Sequence, residues 1–146
     1  MIFFIILAAG VYNSFLASAQ VPQTLAAFFL ETDLSPWALL IGMLLLYLEL
    51  GTVMDSLAMG FLTVPIFVPI VTQLDFGIPP AEVGIWFGIL VLMSAEIGLI
   101  TPPVGLNLFV INAMSKDVSI GQTYRGALPY VASDIVRIDL LVGYPP

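Results

Sequence analysis

The sequence predicts an all-α membrane protein containing a helical hairpin and a discontinuous transmembrane helix, and three observations carry that prediction. First, 60% of the 146 residues are hydrophobic and 9% are charged, where soluble domains carry roughly 25% charged residues; mean hydropathy is +1.11. Second, no charged residue occurs from Met1 to Leu30. Third, two polar stretches that bear glycine or proline, "GTVMDS" at 51–56 and "GLITPPVGLNLF" at 98–109, interrupt otherwise apolar runs.

Composition also removes whole classes of function. Ten acids against three bases give a net charge of -7, so there is no basic patch for nucleic acid or anionic headgroups. With no Cys and no His, disulfides, thiol chemistry, a Ser-His-Asp triad and the usual zinc sites are excluded. An intramembrane aspartyl protease lacks its GxGD sequence here. No enzyme and no cofactor are expected.

The opening "MIFFIILAAG" has no basic n-region and runs on without an A-x-A cleavage point, so it reads as a spanning helix, not a signal peptide. Its abrupt start points to a fragment of a longer protein. Residues 1–30 fit one tilted span, since about 20 residues cross a ~30 Å hydrocarbon core. Pro22 kinks or ends it near Gln20, leaving 22–30 as a short second piece. In "ETDLSP", Ser35 is placed as an N-cap and Pro36 as the first residue of a new helix.

From Pro36 to Leu50 the apolar run reaches only roughly 22 Å. The polar tip with Glu49, Gly51, Thr52, Asp55 and Ser56 follows, and then a second apolar leg from Leu57 to Val71 containing Pro65 and Pro69. A re-entrant hairpin over 36–72 describes this best; two short tilted spans with the tip outside the bilayer are the alternative. The loop "TQLDFGIPPAE" leads to an apolar stretch over 83–115, too long for one span and too short for two. A broken crossing with half-helices 83–97 and 103–115 fits it. "SKDVSIGQTYRG" holds Lys116 and Arg125 and is the expected cytoplasmic loop. A last membrane helix is expected over 127–146, where Asp134 and Arg137 pair on one face near Asp139. The loops at 31–35 and 73–82 hold acids and no base, so they fall outside if the basic loop is cytoplasmic. That parity supports the broken crossing and does not separate the hairpin from two spans.

Non-helical backbone at membrane depth survives only where it packs in protein or lines a cavity. Pro102 and Pro103 lack N–H groups, and Pro102 biases Thr101 toward extended geometry. The first half-helix therefore ends near Gly98, leaving carbonyls from about Ala95 to Gly98 without partners at the negative end of the helix dipole. Such a cluster suits a desolvated monovalent cation. Pro103 suits the first turn of the next half-helix, whose free N–H groups near Gly105 suit a carboxylate. Secondary transporters use discontinuous helices in this way; a structural proline kink is the plain alternative. Asp55 reads as a cation ligand or as part of a tip exposed to water, and Glu49 and Glu96 are weaker candidates. Trp37, Tyr47, Trp86 and Phe87 read as interfacial anchors or packing.

"MDSLAMGFLTVPIFVPIV", "IWFGILVLMSAEIGLITPPVGLNLFVI" and "ALPYVASDIVRIDLLV" together resemble the large membrane subunit of the tripartite ATP-independent periplasmic (TRAP) transporters, over nearly the whole chain. The match corresponds to the C-terminal third or so of such a subunit, an ion-transporter-type second repeat. The resemblance implies a multi-pass bacterial inner-membrane permease importing organic anions such as C4-dicarboxylates or sialic acid, with Na⁺ as coupling ion and an elevator mechanism. It implies as partners a periplasmic substrate-binding protein, a small membrane subunit, the missing N-terminal half of the permease and the lipid bilayer. Carried onto this chain, it places a Na⁺ site among Gly51, Thr52, Asp55, Gly98, Thr101 and Pro102, and the substrate anion near Val104, Gly105 and Asn107. On that reading, Thr101→Ala or Asp55→Ala abolishes Na⁺-dependent uptake. The alternative is a truncated or split-gene membrane protein acting only in structure or assembly.

Overall fold

The break expected near Gln20 is present. Helix α1 (Ile2–Ser18) ends in a turn in which Gln20 adopts φ +54, and α2 (Val21–Glu31) carries Pro22 as its second residue, where a missing N–H leaves no intrahelical bond unmade. The two helices meet at a 60° bend. The computed structural model describes residues 2–31, 34–102, 104–115 and 117–145, with Leu30 described by its backbone alone. Among the described residues there are seven helices and no strand. Expectations resting on Pro103, Lys116 and Pro146 lie outside them.

Helix α3 (Pro36–Gly51) begins as its sequence demands: the Ser35 side chain accepts from the Ala38 N–H and Pro36 occupies the first turn. Helix α4 (Ser56–Val71) is capped by Asp55. Each is 16 residues, about 24 Å at 1.5 Å per residue. Both pack against α5 (Pro80–Ile100), around which the core is organised. Tyr47, Trp86, Phe87, Leu40, Met59 and Leu90 are fully buried there. Tyr47 meets Phe67 and Phe87 edge-on, and its hydroxyl lies 2.7 Å from Thr63 Oγ1 in a hydrogen bond. The Trp86 indole donates to Leu141 O of α7. These aromatics pack the core, whereas Trp37 remains 37% exposed.

Three helices differ in their bounds from the expected ones. Helix α5 runs for 21 residues and contains an 18-residue stretch of mean hydropathy 2.1, long and apolar enough to cross a membrane by itself, where a half-helix over 83–97 was expected. Pro80 starts it earlier, and Thr101 prolongs it by donating its N–H to Gly98 O and its hydroxyl to Ile97 O. The second half, α6 (Leu106–Met114), starts three residues later than expected. Gly105 is its cap, at φ +56, a left-handed backbone that glycine adopts without steric cost. Helix α7 (Ile120–Gly143) absorbs most of the segment expected as the basic loop. The cause is a capping box, with the Ser119 hydroxyl accepting from Gln122 N and the Gln122 side chain accepting from Ser119 N. The Asp134–Arg137 pair is present at 3.1 Å.

Pro65 and Pro69 lie inside α4 without interrupting it. Pro65 has no N–H for the Phe61 carbonyl, one turn earlier, and Asn13 of α1 replaces it, donating from Nδ2 to Phe61 O at 2.8 Å. Neighbouring helices often satisfy carbonyls freed by proline in this way. Asn13→Ala is expected to cost about 1 kcal/mol, the net worth of one hydrogen bond. In a Pro65→Ala background the same substitution should cost close to nothing, because residue 65 then supplies its own N–H to Phe61. Thermal unfolding of the four variants checks this, and equal costs in both backgrounds would refute the pairing.

Candidate functional site

The C-terminal ends of α3 and α5 cross at two glycines. A Cβ on Gly98 would lie 2.5 Å from Leu48 O and 2.7 Å from Gly51 Cα, and one on Gly51 would lie 2.6 Å from Ala95 O. Only residues without a side chain allow two backbones this close. The crossing brings the turn after α3 against the turn after α5, and a cavity of about 410 Å³ lined by Leu48, Glu49, Thr52, Thr101 and Pro102 lies between them.

Three features of this cavity favour a cation. Two helices end at it, and each helix C-terminus carries partial negative charge. The Thr52 hydroxyl donates to Glu49 O at 2.8 Å and the Thr101 hydroxyl to Ile97 O at 2.6 Å. Each hydroxyl hydrogen is thus committed to the preceding turn, which leaves oxygen lone pairs to face the cavity. Glu49 adds a carboxylate. Among the described residues no group of three or more His, Cys, Asp or Glu converges. The oxygens available are therefore hydroxyls, carbonyls and a single acid, a set that matches a hard monovalent ion.

The expected cation residues are divided by the structure. Thr52, Thr101 and Pro102 line the cavity, and Gly51 and Gly98 form the crossing that creates it. Ile97 and Gly98 carbonyls, expected to lack partners, each accept a bond from Thr101 and keep a second lone pair. Thr101 is extended at φ -105, ψ 140, as a residue before proline is expected to be. Asp55 is not among the lining residues. Its Oδ2 accepts from Leu57 N and Ala58 N at 3.1 and 3.2 Å, capping α4. Asn caps helices as well as Asp, whereas Ala forfeits roughly 0.5–2 kcal/mol. Asp55→Asn is therefore expected to keep the thermal stability of the protein and Asp55→Ala to lower it. A loss of stability in Asp55→Asn equal to that in Asp55→Ala would show that the charge, not the cap, is what α4 needs.

The expected anion residues lie on the far side of Thr101. Gly105 is buried, and a Cβ there would meet Thr101 O at 3.1 Å and Tyr124 Cε1 at 3.3 Å. The Tyr124 hydroxyl donates to Val104 O at 2.6 Å and ties α7 to this turn. Asn107 is exposed in the first turn of α6, and Glu96 is exposed on α5. Two residues of interest had no expected role: Tyr124 lay in a segment assigned to a loop, and Asn13 lay in an apolar run. The spacing of Pro65 from Phe61 was the available signal for a missing donor, but nothing in sequence pointed to α1 as its source.

A family model described as the DctM component of the tripartite ATP-independent periplasmic transporter matches residues 1–146. The chain is 40% identical over 146 residues to the C4-dicarboxylate TRAP transporter large permease protein DctM of Pseudomonas aeruginosa, covering all of this chain and 32% of that protein. It is 33% identical over 140 residues to the sialic acid TRAP transporter large permease protein SiaM of Vibrio cholerae, covering 96% of this chain and 31% of that protein. It is also 33% identical over 138 residues to the isethionate TRAP transporter permease protein DctMQ of Oleidesulfovibrio alaskensis, covering 94% of this chain and 20% of that protein. The chain thus spans between a fifth and a third of the length of these curated relatives.

Proposed function

Since the chain belongs to the DctM family of TRAP transporter large permeases, we propose that it forms the cation-coupling part of a Na⁺-driven importer of organic anions. The single observation that carries the ion assignment is the cavity at which α3 and α5 both end, with two threonine hydroxyls whose hydrogens are committed elsewhere. In this reading α3 and α4 form a re-entrant hairpin, α5 and α6 form the discontinuous helix, and Na⁺ sits between their turns. The anion approaches the start of α6 near Val104, Gly105 and Asn107, where the positive end of the helix dipole favours negative charge. Thr101 links the two, because its hydroxyl faces the cation cavity while its carbonyl packs on Gly105. Binding of one ion thereby orders the turn that receives the other.

The relatives named for C4-dicarboxylate, sialic acid and isethionate transport all point to an organic acid as substrate. A periplasmic binding protein delivers it, a small membrane subunit supports the permease, and an elevator movement carries hairpin and broken helix across the inner membrane. No chemical bond is made or broken. The test is uptake of a panel of organic acids by a full-length permease carrying this segment, reconstituted with its partners. Replacing Na⁺ by K⁺ or choline is expected to abolish uptake. Uptake that persists at the same rate in choline would overturn the Na⁺ assignment.

A further inference from the structure

Helix α4 carries two prolines four residues apart, and together they free two carbonyls on one side of the helix. Pro65 leaves Phe61 O without its intrahelical donor, and Pro69 does the same for Pro65 O. The two carbonyls are separated by one turn, about 6 Å along the axis. Asn13 Nδ2 occupies the first of them at 2.8 Å. The second belongs to a residue lining the same cavity as Asn13, a space of about 370 Å³ bordered also by Ser56, Gly60 and Leu92. Asn13 makes this contact at a cost: its Oδ1 is buried with no hydrogen-bond partner, so the desolvation penalty of that oxygen offsets part of what the bond contributes.

We propose that α1 and α4 form a two-station contact, in which the Asn13 amide moves between the Phe61 and Pro65 carbonyls and lets α4 slide past α1 by one helical turn. Three observations converge on it: a donor on one station, a second proline-freed acceptor one turn away, and open space beside both. One-turn ratchets of packed elements are a known form of two-state movement, because packing permits discrete registers and not intermediate ones. Each register offers the amide an acceptor that α4 itself leaves without its own donor, so the exchange loses no hydrogen bond at either end. Asn13 is in this account a positioning residue. It touches no transported ion, and it sets where the hairpin leg stands relative to α1.

The inference rests on the transport reading above, and the experiment separates the two. Uptake kinetics are measured for the full-length permease with Asn13→Ala, with Pro69→Ala and with both substitutions. Pro69→Ala returns an N–H to the Pro65 carbonyl, closing the second station without touching the contact seen at the first. Turnover is expected to fall about fivefold in each single variant, the rate equivalent of one net hydrogen bond. The double variant should fall no further, because both substitutions remove the same step. The KM for substrate should stay within about twofold in all three, since the ligand cavities are untouched. If Pro69→Ala does not accumulate as folded protein, Pro69→Ser restores the same N–H and replaces it. Wild-type turnover in the Pro69 variant, or effects of the two substitutions that multiply, would show Asn13 to be a fixed pin and overturn the second station. A wild type that transports nothing overturns both this inference and the reading it rests on.

Discussion

Adding one methyl group at Gly98 is expected to abolish uptake and to deplete the folded permease. The Cβ of Gly98→Ala would stand 2.5 Å from Leu48 O and 2.7 Å from Gly51 Cα, and both are backbone atoms that no rotamer change can move aside. Overpacking in a close-packed interior costs typically 1–3 kcal/mol, and this clash belongs at the upper end, about 3 kcal/mol, because relief requires separating two helices. Separation also widens the cavity between Thr52 and Thr101, so transport is lost even in the fraction that folds. Gly51→Ala is expected to act alike, with the Ala95 carbonyl 2.6 Å from its Cβ. The two effects should not add, since either one already parts the same crossing. Gly88 lies on the same helix, and a Cβ there meets nothing within 4 Å. Gly88→Ala should therefore leave thermal stability unchanged or raise it by up to about 1 kcal/mol through helix propensity. Thermal unfolding and uptake of the three variants decide the matter; a Gly98→Ala permease as stable and active as Gly88→Ala would mean that the crossing is not closed in the working protein.

The second large effect is expected at Thr101, and it separates ion binding from folding. Thr101→Val keeps the side-chain shape and removes the oxygen that bonds to Ile97 O and lines the cavity. The half-saturating Na⁺ concentration should rise at least about tenfold, the equivalent of roughly 1.4 kcal/mol of lost ligation. Maximal uptake at saturating Na⁺ should be largely retained. Thr101→Ser, which keeps the hydroxyl, should restore the wild-type Na⁺ dependence. Thr52→Val is expected to repeat the Thr101→Val pattern through the opposite wall of the cavity. An unchanged Na⁺ dependence in both valine variants, with folded protein present, would remove the cation from this cavity.

Much of the local structure was legible in sequence because it depends on local backbone chemistry. Ser35 followed by Pro36 is a helix start wherever it occurs, and the structure has the cap and the first turn in place. Pro22 and Pro102 mark breaks because a residue without an N–H removes a rung of the ladder and disfavours helical geometry just before it, and both breaks are present. The misjudged boundaries were those decided by side chains reaching back to the main chain. Thr101 prolongs α5 with two bonds, and the Ser119–Gln122 box starts α7 within a segment whose polarity resembled a loop. Polarity alone does not distinguish a helix start from a loop, because N-terminal turns and loops favour the same residues.

The candidate site divides along the same line. Its two polar turns, and the prospect that they belong together, were readable from glycine, proline and threonine set in apolar runs. Which oxygens meet was not. Asp55 had the stronger claim as an acid in the polar tip at membrane depth, yet its carboxylate is taken by the first N–H groups of α4, and Glu49 stands at the cavity instead. The sequence by itself determined that helices lie in each apolar run, where prolines break them, and the membrane character of this protein, for these follow from hydropathy and from backbone N–H groups that proline lacks. Only the tertiary structure decided that Thr52 faces Thr101 and that Asn13 serves Phe61. Those pairings depend on how closely α3 approaches α5 and α1 approaches α4. Such distances are set by residues far apart in the chain, Gly51 against Gly98 in the first case and side chains packing between helices in the second, and no local pattern encodes them.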